Sequence, residues 1–164
     1  TIYALSTPPG RSGIAVVRLS GPASGNILTA LLEGKFPQPR QASLRALKTA
    51  GGEVFDRALV LWFPAPASFT GEDCVELHLH GGVAVIDGAI EAIESAGGSL
   101  AQAGEFTRRA FENDKLDLTE AEGLADLIEA ETEGQRTQAL AQMSGSLKHL
   151  YEGWREALIM ILAS

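Results

Sequence analysis

Cys74-Val75-Glu76-Leu77-His78-Leu79-His80-Gly81-Gly82 alternates in side-chain character until two glycines end the pattern. Successive side chains of a strand point to opposite faces. Val75, Leu77 and Leu79 therefore read as a core face, and Cys74, Glu76, His78 and His80 line the other. Gly81-Gly82 turns the chain into a helix whose apolar residues, Ile86, Ala89, Ile90 and Ile93, recur at i, i+3, i+4 and i+7. A half-buried strand feeding an amphipathic helix predicts a sheet covered by helices.

The sequence on either side extends this reading. Ile14-Ala15-Val16-Val17-Arg18-Leu19 is rich in β-branched residues and reads as a buried strand. Ser20-Gly21-Pro22 reads as a helix start with proline in the first turn; Ile27, Leu28, Leu31 and Leu32 supply the apolar face and Gly34 the end. Residues 36–43 read as a proline-containing loop, and 54–63 as a long strand stopped by Pro64 and Pro66. Gly97-Gly98 ends the second helix, and 99–103 reads as a last short strand. From Gly104 the pattern is helical. Thr119 with Glu122 forms a capping-box signature, followed by a face of Ala121, Leu124, Ala125 and Ile128. Gly134 reads as a break before a longer helix carrying Leu140, Met143, Leu147, Leu150, Trp154, Leu158 and Ile161. The expected fold is α+β: a mixed β-sheet with flanking helices near 22–33 and 84–96 in a domain over 1–117, then a helical extension over 118–164. So long an apolar seam wants a partner helix. It is expected to be the remnant of a larger helical domain, which makes the chain a fragment, rather than a dimer contact or a hairpin folded back on the sheet.

Composition narrows the function classes. The chain has 164 residues, 45% hydrophobic and 21% charged, enough for one domain with its own core and an appendage. No apolar run approaches the roughly 20 residues that span a bilayer, and Thr1-Ile2-Tyr3-Ala4 shows no signal-peptide pattern. The lone Cys74 forms no internal disulfide. A cytoplasmic protein without membrane contact is expected. The net charge of −8 lacks the basic surplus with which proteins neutralise phosphates, so this piece alone is expected to bind nucleic acid poorly.

Chemistry concentrates at a few positions. The Cys74–His80 polar face reads first as a pocket wall, and next as an edge or solvent-facing strand or a satisfied hydrogen-bond network. Two histidines at i and i+2 can share a metal ion, but no third ligand has suitable spacing, so no metal is assigned. Arg18 lies in a mostly apolar strand, where a guanidinium requires a partner. An internal ion pair with Glu76, or a polar ligand met by both residues, satisfies that requirement. Pro8-Pro9-Gly10-Arg11-Ser12-Gly13 is a glycine-containing turn into a strand. It lacks the order of a phosphate-binding loop, Gly-x4-Gly-Lys-Ser/Thr, which occurs nowhere in the chain. Lys115, between Asp114 and Asp117, reads first as a solvated lysine with weak local ion pairs. A cation reaching a ligand oxygen is the alternative. No catalytic residue emerges.

Three blocks taken together carry a resemblance. Thr7-Pro8-Pro9-Gly10-Arg11-Ser12-Gly13-Ile14, Phe69-Thr70-Gly71-Glu72-Asp73-Cys74-Val75-Glu76 with His80-Gly81-Gly82, and Gly104-Glu105-Phe106 through Asp126 resemble, in order, the signature blocks of the N-terminal part of the MnmE/TrmE family of tRNA-modifying GTPases. The resemblance implies a parent GTPase that works with the flavoprotein MnmG/GidA on carbon 5 of the tRNA wobble uridine. It implies an N-terminal domain that binds 5-formyltetrahydrofolate or a related tetrahydrofolate and forms a homodimer, with a fold resembling the folate-binding part of aminomethyltransferases. By position, the family's folate contacts fall on Arg18, Glu76 and Lys115. GTP, magnesium and potassium would belong to a GTPase domain that these residues do not contain. The alternatives are an interaction module without folate binding and a self-contained folate-dependent one-carbon transferase.

Overall fold

The computed structural model describes residues 1–144 and 146–162. The chain divides into two units, Thr1–Ala110 and Phe111–Ser164. The first contains β1 (Ile2–Leu5), β2 (Ser12–Ser20), α1 (Ser24–Leu31), β3 (Leu32–Glu33), β4 (Ser43–Lys48), β5 (Val54–Phe63), β6 (Cys74–Gly81), α2 (Val83–Ser95) and β7 (Ser99–Leu100). The seven strands form one sheet in the order β3-β4-β5-β6-β2-β1-β7. Neighbours pair antiparallel except β1 with β7, so the sheet is mixed and the α+β expectation holds.

The alternation of β6 decides the layering. Val75, Leu77 and Leu79 are at most 1% exposed and join Val17, Leu19 and Val60 of the neighbouring strands in one core. Ile27, Leu28 and Leu31 of α1 and Ala89, Ala92 and Ile93 of α2 close that core from above. At the end of β6, Gly81 faces Ser12, where the β2–β6 register shifts. A Cβ there would lie 2.4 Å from the Ser12 carbonyl oxygen, so the close approach of the strands requires glycine. Gly97, at φ +92°, ends α2, and Gly98 N–H donates to the Ile93 carbonyl at 2.9 Å.

Several local expectations need correction. Ser20 belongs to β2 and is buried; Gly21 and Pro22 precede α1, which starts at Ser24. The 36–43 loop runs into an unanticipated strand, β4, in which Leu47 alone is buried. The strand expected over 99–103 is only two residues long.

Tyr3 of β1 joins the sheet to α2. It is 2% exposed, and its hydroxyl donates to Glu94 Oε1 at 2.6 Å. Burial, then the hydrogen bond and charge of Glu94, raise its pKa to about 12. The folded value lies above the unfolded one of about 10. The stabilisation is therefore complete below pH of about 10 and is lost as pH rises through about 12. Chemical denaturation at increasing alkaline pH should show a loss of stability across that window that is absent from Tyr3→Phe; superimposable pH profiles would refute the assignment.

The second unit contains the end of α3 (Glu105–Glu112), then α4 (Leu118–Glu129), α5 (Glu133–Met143) and α6 (Ser146–Leu162). The capping box at the start of α4 lies two residues earlier than expected. Asp117 is the N-cap, its Oδ1 accepting from Glu120 N–H at 2.8 Å, while Glu120 Oε2 accepts from Asp117 N–H at 2.8 Å. Thr119 lies inside the helix and donates to Asp117 Oδ1. Thr132, with Gln135, caps α5, so the break falls at residues 130–132 and Gly134 is helical. The long seam is divided between α5 and α6. Leu140, Trp154, Leu158 and Ile161 are exposed, while the side chains of Leu147 and Leu150 lie outside the described residues. In α4 the buried residue is Gly123, and Ile128 is 77% exposed. Phe111 is 46% exposed.

Candidate functional site

The sheet face opposite α1 and α2 grades from closed to open along β2 and β6. Cys74 and Ser20 are opposite each other and buried beneath the loop that precedes β6. Two residues further along, Arg18 and Glu76 are opposite and partly exposed, with side chains 33% and 20% accessible. His78 follows, and Ile14 and His80 are exposed.

The β2–β6 register turns Arg18 and Glu76 into a clasp. Arg18 Nε and Nη2 donate to Glu76 Oε1 at 3.0 and 2.8 Å. His78 Nε2 lies 3.2 Å from Glu76 Oε2. The Phe69 ring packs against the guanidinium, its centroid 5.7 Å from Arg18 Cζ. Arg18 thus has Glu76 as its internal partner, and the ion pair is still reachable from solvent. A carboxylate offers about four lone-pair positions, and Arg18 and His78 engage three of those of Glu76 at most. A flat ligand edge bearing adjacent N–H donors therefore finds one free acceptor position here, beside an aromatic ring, and would take a second by displacing one of the present donors.

The two histidines of the polar face separate. His78 stays with Glu76, whereas His80 Nδ1 pairs with Asp56 Oδ1 at 2.7 Å and its backbone N–H donates to Asp56 Oδ2 at 2.9 Å. Asp56, which sequence reading passed over, is 9% exposed and ties β5 to the end of β6.

A second charged cluster adjoins the clasp and also escaped sequence reading. Arg109 Nη1 lies 3.1 Å from each carboxylate oxygen of Glu72, and its Nη2 is 2.9 Å from Glu105 Oε1. Glu72 Oε2 accepts from Ser20 Oγ at 2.6 Å. Ser20 Oγ lies 2.7 Å from Thr70 Oγ1, which is 3.2 Å from Cys74 Sγ. The Gln102 N–H, then the Arg109 side chain, hold the Glu105 carboxyl below its usual range. Burial opposes the charge on Arg109, but its hydrogen bonds to Glu105 and Glu72 outweigh that and raise its pKa. Glu72 and Arg109 lie within the quoted motifs, and their charge in otherwise turn-like and helical stretches was the available signal.

Arg18 and Glu76 are thus brought together within the first unit. Lys115 belongs to the second, exposed in the turn between α3 and α4.

Sheet and clasp define an α+β module that presents a solvent-reachable guanidinium–carboxylate pair, followed by a unit of short helices. The family described as GTP-binding protein TrmE N-terminus matches residues 1–115, and the MnmE helical domain matches residues 118–164; the chain belongs to this family. It is 67% identical over 164 residues to the tRNA modification GTPase MnmE of Maricaulis maris, covering all of this chain and 37% of that protein. It is 61% identical over 166 residues to the human mitochondrial 5-taurinomethyluridine-tRNA synthase subunit GTPB3, covering 99% of this chain and 34% of that protein. The MnmE of Caulobacter vibrioides is 58% identical over 163 residues, covering 99% of this chain and 36% of that protein. The chain therefore spans little more than a third of the length of these relatives.

Proposed function

We propose that this chain is the folate-binding and dimerisation module of a tRNA-modifying GTPase. The observation that carries this reading is the Arg18–Glu76 clasp on the central strands, with an acceptor position left on Glu76 and Phe69 alongside. A reduced pterin presents an exocyclic amino group beside a ring N–H, and a carboxylate accepts from both. Glu76 would hold that edge, and Arg18 would donate to a carbonyl or carboxylate oxygen of the ligand. Lys115 is proposed as a third contact by correspondence with the family's motif alone. When bound, 5-formyltetrahydrofolate or a related tetrahydrofolate would supply the one-carbon unit, and the protein would orient it.

In the same proposal the parent protein works in the cytoplasm with MnmG/GidA on carbon 5 of the wobble uridine, and tRNA is met through the full complex. GTP, magnesium and potassium are assigned to the GTPase portion of the longer relatives, since no phosphate-binding loop motif occurs in these residues. No helix among the described residues is long and apolar enough to cross a membrane. Exposed Ile14, Leu44 and Leu59, on the sheet face opposite α1 and α2, supply apolar surface for self-association.

Titration of the chain with 5-formyltetrahydrofolate by calorimetry, beside sedimentation velocity, tests both halves. Saturable binding by a dimer is expected. A dimer with no detectable binding would replace this reading with an interaction module, and a monomer would remove the dimerisation role.

A further inference from the structure

The cluster around Arg109 has a geometry that reaches the clasp. The loop between β5 and β6 is held at several points. Gly21 N–H donates to the Asp73 carbonyl at 3.0 Å, Ser68 Oγ donates to the Glu72 carbonyl, and Glu72 N–H donates to Thr70 Oγ1 at 3.3 Å. Thr70 and Ser20 are fully buried, so their hydroxyls have little freedom to rearrange. Phe69 sits in the middle of this loop, and its ring meets the Arg18 guanidinium.

Arg109 is the cation on which the loop's one glutamate, Glu72, closes. Its guanidinium joins two carboxylates from different elements, Glu72 of the loop and Glu105 of α3, with side chains 22%, 24% and 10% exposed. Without that charge, two carboxylates would share a poorly solvated space, and like charges there repel. Glu72 would have to turn outward, giving up its hold on Ser20 at the base of the loop that carries Phe69.

We propose that Arg109 is a positioning residue for the Arg18–Glu76 site. It acts through Glu72 and the 68–73 loop to hold Phe69 against the Arg18 guanidinium and so presents Glu76 in its ligand-accepting orientation. The inference rests on the folate reading for its ligand, but the coupling itself exists without one. The ligand contacts are Arg18 and Glu76; Arg109 sets how well they are presented.

The test compares Arg109→Gln, Phe69→Ala, the double variant and Arg109→Lys in the full chain. Each single variant should weaken 5-formyltetrahydrofolate binding about tenfold, and the double no further, because both act through the same contact. Arg109→Lys, which keeps the charge, should restore part of the loss. In the absence of ligand, the Arg18 Nε–H resonance should shift in Arg109→Gln and not shift further in the double variant. Unchanged affinity in Arg109→Gln, losses that multiply in the double, or an unmoved Arg18 resonance would each overturn the proposal. A shifted resonance in a protein whose wild type does not bind the folate would overturn the folate reading and uphold the positioning role.

Discussion

Replacement of Glu76 by alanine is expected to abolish binding of 5-formyltetrahydrofolate, a loss of at least about 100-fold by calorimetry, in a protein that still folds. Hydrogen bonds to a charged group contribute about 1.5–3 kcal/mol each, and the proposed pterin edge places two of them on this carboxylate. The loss of the ion pair costs the fold little by comparison. Arg18 is a third exposed, so water can take over its donors, and a pair this accessible is worth under about 1 kcal/mol. The circular dichroism spectrum should be unchanged. Glu76→Gln, which keeps one carbonyl acceptor, should bind with intermediate affinity. Undiminished binding by Glu76→Ala would remove Glu76 from the site.

The second large effect concerns stability. Leu77 occupies the core face of β6, the central strand of the seven, and is fully buried among residues of the sheet and the two covering helices. Leu77→Ala should cost about 3 kcal/mol in urea denaturation, since the removed methyl groups leave a cavity that strands paired on both sides cannot close. On the other face, Leu59 is 45% exposed, and Leu59→Ala should cost under about 1 kcal/mol. Equal losses at the two sites would contradict the layering. A loss of about 3 kcal/mol is a large part of the 5–15 kcal/mol typical of a domain.

Legibility in the sequence follows the strength of local periodicity. β6 and the faces of α1 and α2 could be read because each repeats its apolar residues over enough length to exclude the other period. β4 could not, because only Leu47 of its six residues is buried and no alternation shows. β1 and β3, at four and two residues, are too short to display a period. The cap of α4 was misplaced because Asp117-x-x-Glu120 and Thr119-x-x-Glu122 satisfy the same pattern. The side-chain exchange at Asp117 and Glu120 chooses between them.

The site divides in the same way. The sequence by itself determined that Glu76 shares a strand face with His78, that Arg18 requires a partner, and that the chain carries the motifs of its family. Each follows from neighbours within a few residues or from residue order. Only the tertiary structure decided that Arg18 closes on Glu76, 58 positions away, that His80 turns to Asp56, and that Arg109 joins Glu72 to Glu105. Electrostatic partners are set by strand register and by where a loop and a helix meet in space. The periodicity of a single segment carries the direction of a side chain but not the identity of what it meets.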